Sequence, residues 1–120
     1  MRAVMGVLAG VLVVSGWAVS AAGLPEALAP QDAAKITAGK AVYDAQKCSM
    51  CHMVAGKGNK MSVLDGVGTK LKADDLKLWL TEPAKMEAKL TTKPKIKMKA
   101  FKLAPADLDS LVAYLGSLKK

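Results

Sequence analysis

Aromatic side chains are scarce in this chain, and arginine and histidine are nearly missing. Five aromatics occur in 120 residues: Trp17, Tyr43, Trp79, Phe101 and Tyr114. The one arginine is Arg2, the one histidine is His52, and the two cysteines are Cys48 and Cys51. The dearth of arginine and aromatics weighs against nucleic acid as a partner. Arginine makes the bidentate phosphate and guanine contacts, and aromatic rings stack on bases. No stretch of useful length alternates apolar and polar residues, so strands are not indicated and an all-α fold is expected. The length allows one domain and not two.

Residues Ala3 to Pro25 carry no charge and follow Arg2. An apolar run, Val4 to Val14, gives way to small residues: Ser15, Gly16, Ala18, Ser20, Ala21 and Ala22. Basic start, apolar middle and small-residue end are the order of a secretory signal, here 1–22, with a cut after Ala21 or Ala22. The alternative is a membrane tether through residues 3–25, since roughly 20 apolar residues span a bilayer. Export is expected either way, to the periplasm if the source is bacterial. Residues 23–31, with Pro25 and Pro30, form a leader to a domain over 32–120.

Removing Arg2 with the signal turns 18 basic residues into 17, all lysine, and a net charge of +8 into +7. Such a balance suggests an acidic partner or an anionic membrane. About 98 of the 120 residues then remain, few for a self-sufficient core. Chains this small usually need a disulfide, a metal or another large buried group.

Asp32 is placed as N-cap of a first helix running to about Gln46. Ile36, Gly39 and Tyr43 share one face of it. Residues 55–69, with Gly56, Gly58, Gly66 and Gly68, read as loop. A helix is expected from Ala73 to Thr81, with Asp74 and Asp75 in its first turn. Pro83 starts a short helix, since proline suits the first turn. Thr91 to Lys102 reads as an extended loop, and Pro105 opens a last helix to about Leu118. Leu108, Leu111, Val112 and Leu115 make its apolar stripe.

Cys48-Ser49-Met50-Cys51-His52 is C-x-x-C-H, the attachment pattern of haem c. Thiols three residues apart lie about one helical turn apart, so both reach one edge of a haem. The next residue, His52, then falls under the iron, and neutral imidazole is a good iron ligand. Three other readings stand beside haem. They are a disulfide, a thioredoxin-like redox pair (which wants a βαβ context) and a zinc site lacking a fourth ligand. A sixth iron ligand would come from a methionine. Met50 and Met53 flank the motif, Met61 is nine residues past His52, and Met86 lies in a short helix. Met98 sits in a loop 46 residues past His52 and is the favoured candidate. Lys93, Lys95, Lys97, Lys99 and Lys102 surround it, with Lys85 and Lys89 upstream.

These residues resemble class I c-type cytochromes, the small soluble monohaem kind, over about Ala33 to Leu118. Gly39 and Tyr43 match a G-x-x-x-aromatic first helix. Gly56, Leu64, Asp65, Gly66, Val67 and Gly68 look like the loop after the motif. Leu76, Trp79, Leu80 and Pro83 resemble the middle helix, and Leu111, Val112, Tyr114 and Leu115 the last. Met98 with Phe101 resembles the ligand loop. The resemblance implies three to five short helices around one covalently attached haem c, with the first and last helices crossing near Gly39. It implies that Cys48, Cys51, His52 and Met98 hold the cofactor, that His52 and Met98 ligate the iron, and that one haem edge lies near solvent. It implies a one-electron carrier and not an enzyme, with no catalytic residue. The alternative is a haem enzyme subunit or gas sensor with an open sixth position. The expected partner is an acidic redox protein, or a membrane oxidase or reductase, docking near the lysines around Met98; the chain itself is expected to be a monomer. Two positions depart from the family pattern. Val63 stands where the family has the proline whose carbonyl takes the ligand histidine's N–H, and a valine carbonyl can do the same. Lys99 stands where a proline commonly follows the ligand methionine, so the loop lacks that stiffness.

Overall fold

The computed structural model describes residues 30–119. The signal or tether over residues 1–25 therefore lies outside the described residues, as does most of the leader. The first helix, α1 (Pro30–Ala45), starts earlier than the sequence suggested. Pro30 opens it, because a proline has no N–H to leave unpaired in the first turn. Asp32 is therefore a first-turn residue and not the N-cap, and Pro30 and Gln31 belong to the helix and not to the leader. After α1, Lys47 adopts a left-handed conformation, φ 55°, which turns the chain into one 3₁₀ turn, Cys48–Met50.

The expected glycine loop is more structured than its composition showed. Strands β1 (His52–Val54), β2 (Lys57–Gly58) and β3 (Ser62–Val63) form a small sheet in the order β2-β1-β3. The β1–β2 pair is antiparallel and the β1–β3 pair parallel, with His52 opposite Ser62. One turn of helix, α2 (Val67–Lys70), follows. Strands of two or three residues are too short to leave an alternating pattern, so an all-α reading was blind to them. The remaining helices fall where expected: α3 (Ala73–Thr81), α4 (Pro83–Ala88) and α5 (Pro105–Ser117). The fold is thus mostly helical, with five α-helices among the described residues and one minor sheet.

α1 and α5 cross at very short range. A Cβ on Gly39 would overlap the Ser110 carbonyl oxygen and stand 2.7 Å from the Tyr114 Cβ. One turn further along α1, Tyr43 meets Tyr114 edge to face, with ring centroids 5.5 Å apart. The edge of one ring is positive and the face of the other negative, which favours this arrangement. Leu108, Leu111 and Leu115 continue the buried face of α5, and Leu76 and Leu80 bring α3 against it. The core thus lies to one side of α1 and α5, and its open flank is the site described next.

Gly39→Ala tests the crossing. Alanine favours helix over glycine by about 1 kcal/mol. Overpacking against a backbone carbonyl should outweigh that, for a net loss of about 1–3 kcal/mol in denaturant unfolding of the haem-bound protein. Unchanged or increased stability would mean that the helices do not meet there.

Candidate functional site

The 3₁₀ turn at Cys48–Met50 exists because Lys47 ends α1 and the chain must reverse. Cys51 N–H donates to the Cys48 carbonyl at 3.2 Å, so the two cysteines stand one tight turn apart. They are not joined to each other; Cys48 is half-buried and Cys51 exposed. Burial pushes the Cys48 thiol above its ordinary pKa, against a smaller pull downward from Lys99. No group of three or more His, Cys, Asp or Glu side chains converges on a metal position among the described residues. The disulfide and zinc readings therefore find no support in the geometry.

His52 opens β1 and is half-buried. Burial lowers its pKa, because the charged imidazolium loses hydration, while the Ser62 backbone nearby pulls the other way. Its Nδ1 is nonetheless buried without a hydrogen-bond partner. In a ligating imidazole one ring nitrogen faces the metal and the other donates to a nearby acceptor; the shut-off Nδ1 suits the second part, and the neutral ring suits the first. The backbone beside it is that of Ser62, not Val63 as expected. The parallel register pairs His52 with Ser62 and Met53 with Val63, leaving Val63 49% exposed. One residue of register decides which carbonyl can serve the histidine.

Cys48, Cys51, His52 and Met98 all line one cavity of about 910 Å³. Its inner wall is apolar: Leu64, Trp79, Leu80 and Leu111, with Tyr43 at the back. Pockets that enclose a whole small ligand run roughly 300–1,000 Å³, so the space suits one large group. Packed interiors of this size rarely leave such a void unfilled. The Tyr43 hydroxyl is also buried without a partner, and burial is the main reason its pKa is pushed up to about 12.

The competing methionines are sorted by position. Met86 is buried, 7% exposed, but does not line the cavity, nor does Met53. Met50 and Met61 do line it, at 68% and 54% exposure, so they belong to its rim. Met98 lines it while half-buried, and it arrives on an element remote in sequence from the motif. Of the lysines around Met98, Lys95, Lys97 and Lys99 line the cavity, as Lys47 does from the motif side, whereas Lys93 and Lys102 do not. Lys93 is instead tied to α4: its Nζ donates to the Glu87 carbonyl at 2.7 Å.

Sequence reasoning passed over Glu87. It is buried at the cavity wall, and its Oε1 accepts the Met98 backbone N–H at 3.2 Å. An acidic residue in a six-residue helix amid lysines carries no periodic signal, and its partner lies 11 positions away.

A helical frame with two unpaired thiols, a free imidazole and one large apolar cavity defines a protein built to hold a flat cofactor covalently. A family model described as cytochrome c matches residues 36–119, and the chain belongs to the cytochrome c family. No curated protein matches it, and no solved structure does. The family binds covalently attached haem c and uses it for electron transfer, and its members are generally electron carriers. The residues lining the cavity fit that group.

A double variant, Cys48→Ala/Cys51→Ala, should therefore fail to fold cooperatively. The cavity would lie open in a chain with little core to spare. Circular dichroism on heating should show no cooperative transition, and a sharp melt would contradict this.

Proposed function

We propose that the chain is a one-electron carrier in an exported compartment, with its haem attached through Cys48 and Cys51 and its iron ligated by His52 and Met98. The observation that carries the reading is the convergence of these four residues, 46 positions apart at the extremes of the ligand pair, on one apolar cavity. Haem iron supplies a reversible ferrous–ferric change. The chain supplies the rest. His52 offers a neutral nitrogen held in place by β1, and the thioether of Met98 is a soft neutral ligand that favours the ferrous state and raises the potential. Leu64, Trp79, Leu80 and Leu111 exclude water, which limits reorganisation when the charge changes. The haem enzyme or gas sensor would need an open sixth position with polar groups poised above it. The cavity wall offers mainly apolar side chains instead.

Domains of this family are typically exported. Among the described residues no helix is long and apolar enough to cross a membrane. Residues 1–22 supply the export step in this reading, as a cleaved signal leading to the periplasm in a bacterium.

The partner is proposed to be an acidic redox protein, or a membrane oxidase or reductase, that docks over the cavity mouth. Lys95 and Lys97 stand there exposed and in no ion pair among the described residues. Lys99 is also exposed but lies over the Phe101 ring, 5.1 Å from its centroid. Lys93 is committed to α4 through its hydrogen bonds, so it contributes less to docking than its place in the sequence suggested. Long-range attraction speeds encounter more than it tightens binding, which suits a carrier that must release quickly.

Two experiments test these assignments. Met98→Ala should let the ferrous protein bind carbon monoxide and abolish the weak far-red band of sulfur-ligated ferric haem. If Met61→Ala or Met86→Ala does so instead, the sixth ligand is misassigned. For docking, electron-transfer rates to the native partner are followed across salt concentrations with Lys95→Glu/Lys97→Glu beside wild type. The variant should be slower at low salt and converge with wild type at high salt, because screening reaches about 10 Å at 0.1 M. Equal rates at low salt would move the docking site elsewhere.

A further inference from the structure

Glu87 is the one buried charged side chain among the described residues, 7% exposed. A carboxyl group taken from water needs hydrogen-bond donors to replace the hydration it loses. Glu87 sits near the end of α4, where it borders both the main cavity and a shallower pocket beside it. Its Oε1 takes the Met98 backbone N–H.

That contact stands out because so little else holds the segment. No backbone–backbone hydrogen bond involves residues 91–100. Upstream, Lys93 Nζ donates to the carbonyls of Glu87 and Ala88 at 2.7 and 3.1 Å, which pins the start of the loop to α4. Downstream, Phe101 N–H donates to the Leu80 carbonyl at 2.8 Å, which pins the end to α3. Met98 lies between these anchors, four residues past Pro94, and its immediate neighbours are Lys97 and Lys99 and not proline. A loop with so few ties would sample many conformations, and its ordering must come from specific contacts. The Glu87 contact falls on Met98, the half-buried methionine that lines the cavity.

We propose that Glu87 is a positioning residue for Met98: its carboxyl oxygen fixes the Met98 backbone so that the sulfur is held at the cavity, a task that loop prolines could otherwise perform. The proposal rests on Met98 being the sixth ligand. Glu87 acts through the Met98 main chain, which leaves Lys97 and Lys99 free to face solvent.

The test compares haem-bound wild type, Glu87→Ala, Glu87→Gln and Met98→Ala by carbon monoxide binding (ferrous) and the far-red sulfur band (ferric). Losing one net hydrogen bond shifts a closed–open equilibrium by roughly tenfold. Glu87→Ala should therefore bind carbon monoxide roughly tenfold faster than wild type, with a weakened sulfur band. Glu87→Gln keeps an acceptor oxygen and should stay within about threefold of wild type. If Met98→Ala is no more open than wild type, the ligand assignment fails and the role of Glu87 falls with it. If Met98→Ala opens the iron and Glu87→Ala matches wild type, Glu87 is not the positioning residue while Met98 stands. Equal opening in Glu87→Ala and Glu87→Gln would also overturn the proposal, because a lost acceptor would not be the cause. If Glu87→Ala yields no haem-bound protein, amide exchange in wild type decides. The Met98 amide should exchange roughly tenfold more slowly than those of Lys97 and Lys99. Equal exchange at all three would overturn it.

Discussion

Helices α1 and α5 can approach as they do because residue 39 has no side chain. The Ser110 carbonyl occupies the place a Cβ would need, so the two backbones lie in contact. A single methyl group there would push the helices apart along their length. Tyr43 and Tyr114 would then lose their edge-to-face contact one turn away, and Leu111 and Leu115 would retreat from the cavity wall. The cavity is in this sense a by-product of one close crossing. Two helices fixed at short range leave a defined flank, and α3 closes part of it with Leu76 and Leu80. The polar Tyr43 hydroxyl, buried without a partner, lies on that flank.

The two sides of the cavity are organised differently. On the motif side everything is local: a left-handed Lys47, a 3₁₀ turn, and three short strands that hold His52 beside Ser62. Asn59 ties this side together, its N–H shared by the Ser49 and His52 carbonyls at 3.0 and 3.1 Å. On the methionine side the chain has no regular structure around Met98, and a few contacts to α3 and α4 stand in for it. A site with one rigid and one lightly tethered wall can hold its cofactor firmly while the sulfur side depends on particular side chains. The lysines cluster on that second wall, so any partner drawn to them meets the less regular face.

Much of this was legible in the residues. Pro83 and Pro105 marked helix starts because proline lacks the N–H that a first turn leaves unpaired, and both helices begin there. The spacing of Leu108, Leu111 and Leu115 announced a buried face, and all three are buried. C-x-x-C-H announced its cofactor because thiol spacing within one turn is a local property. Gly39 and Tyr43 marked the crossing for a related reason: a glycine on an apolar helix face needs a close neighbour to justify it.

The rest turns on partners distant in sequence. The small sheet was invisible because strands of two or three residues have no period to detect. Ser62 rather than Val63 meets the histidine because a parallel register is fixed by chain pairing, and a slip of one residue leaves composition unchanged. Lys93 looked like one more docking charge until its ammonium was found on the α4 carbonyls. Glu87 carried no signal in the sequence, because its burial and its bond to Met98 arise only when α4 meets the loop. The sequence by itself determined the four longer helices and the cofactor, because spacing and side-chain chemistry act over a few neighbouring residues. Only the tertiary structure decided which backbone lies beside His52, which lysines remain free and which side chain meets the Met98 main chain, because each depends on atoms that folding brings together from separate parts of the chain.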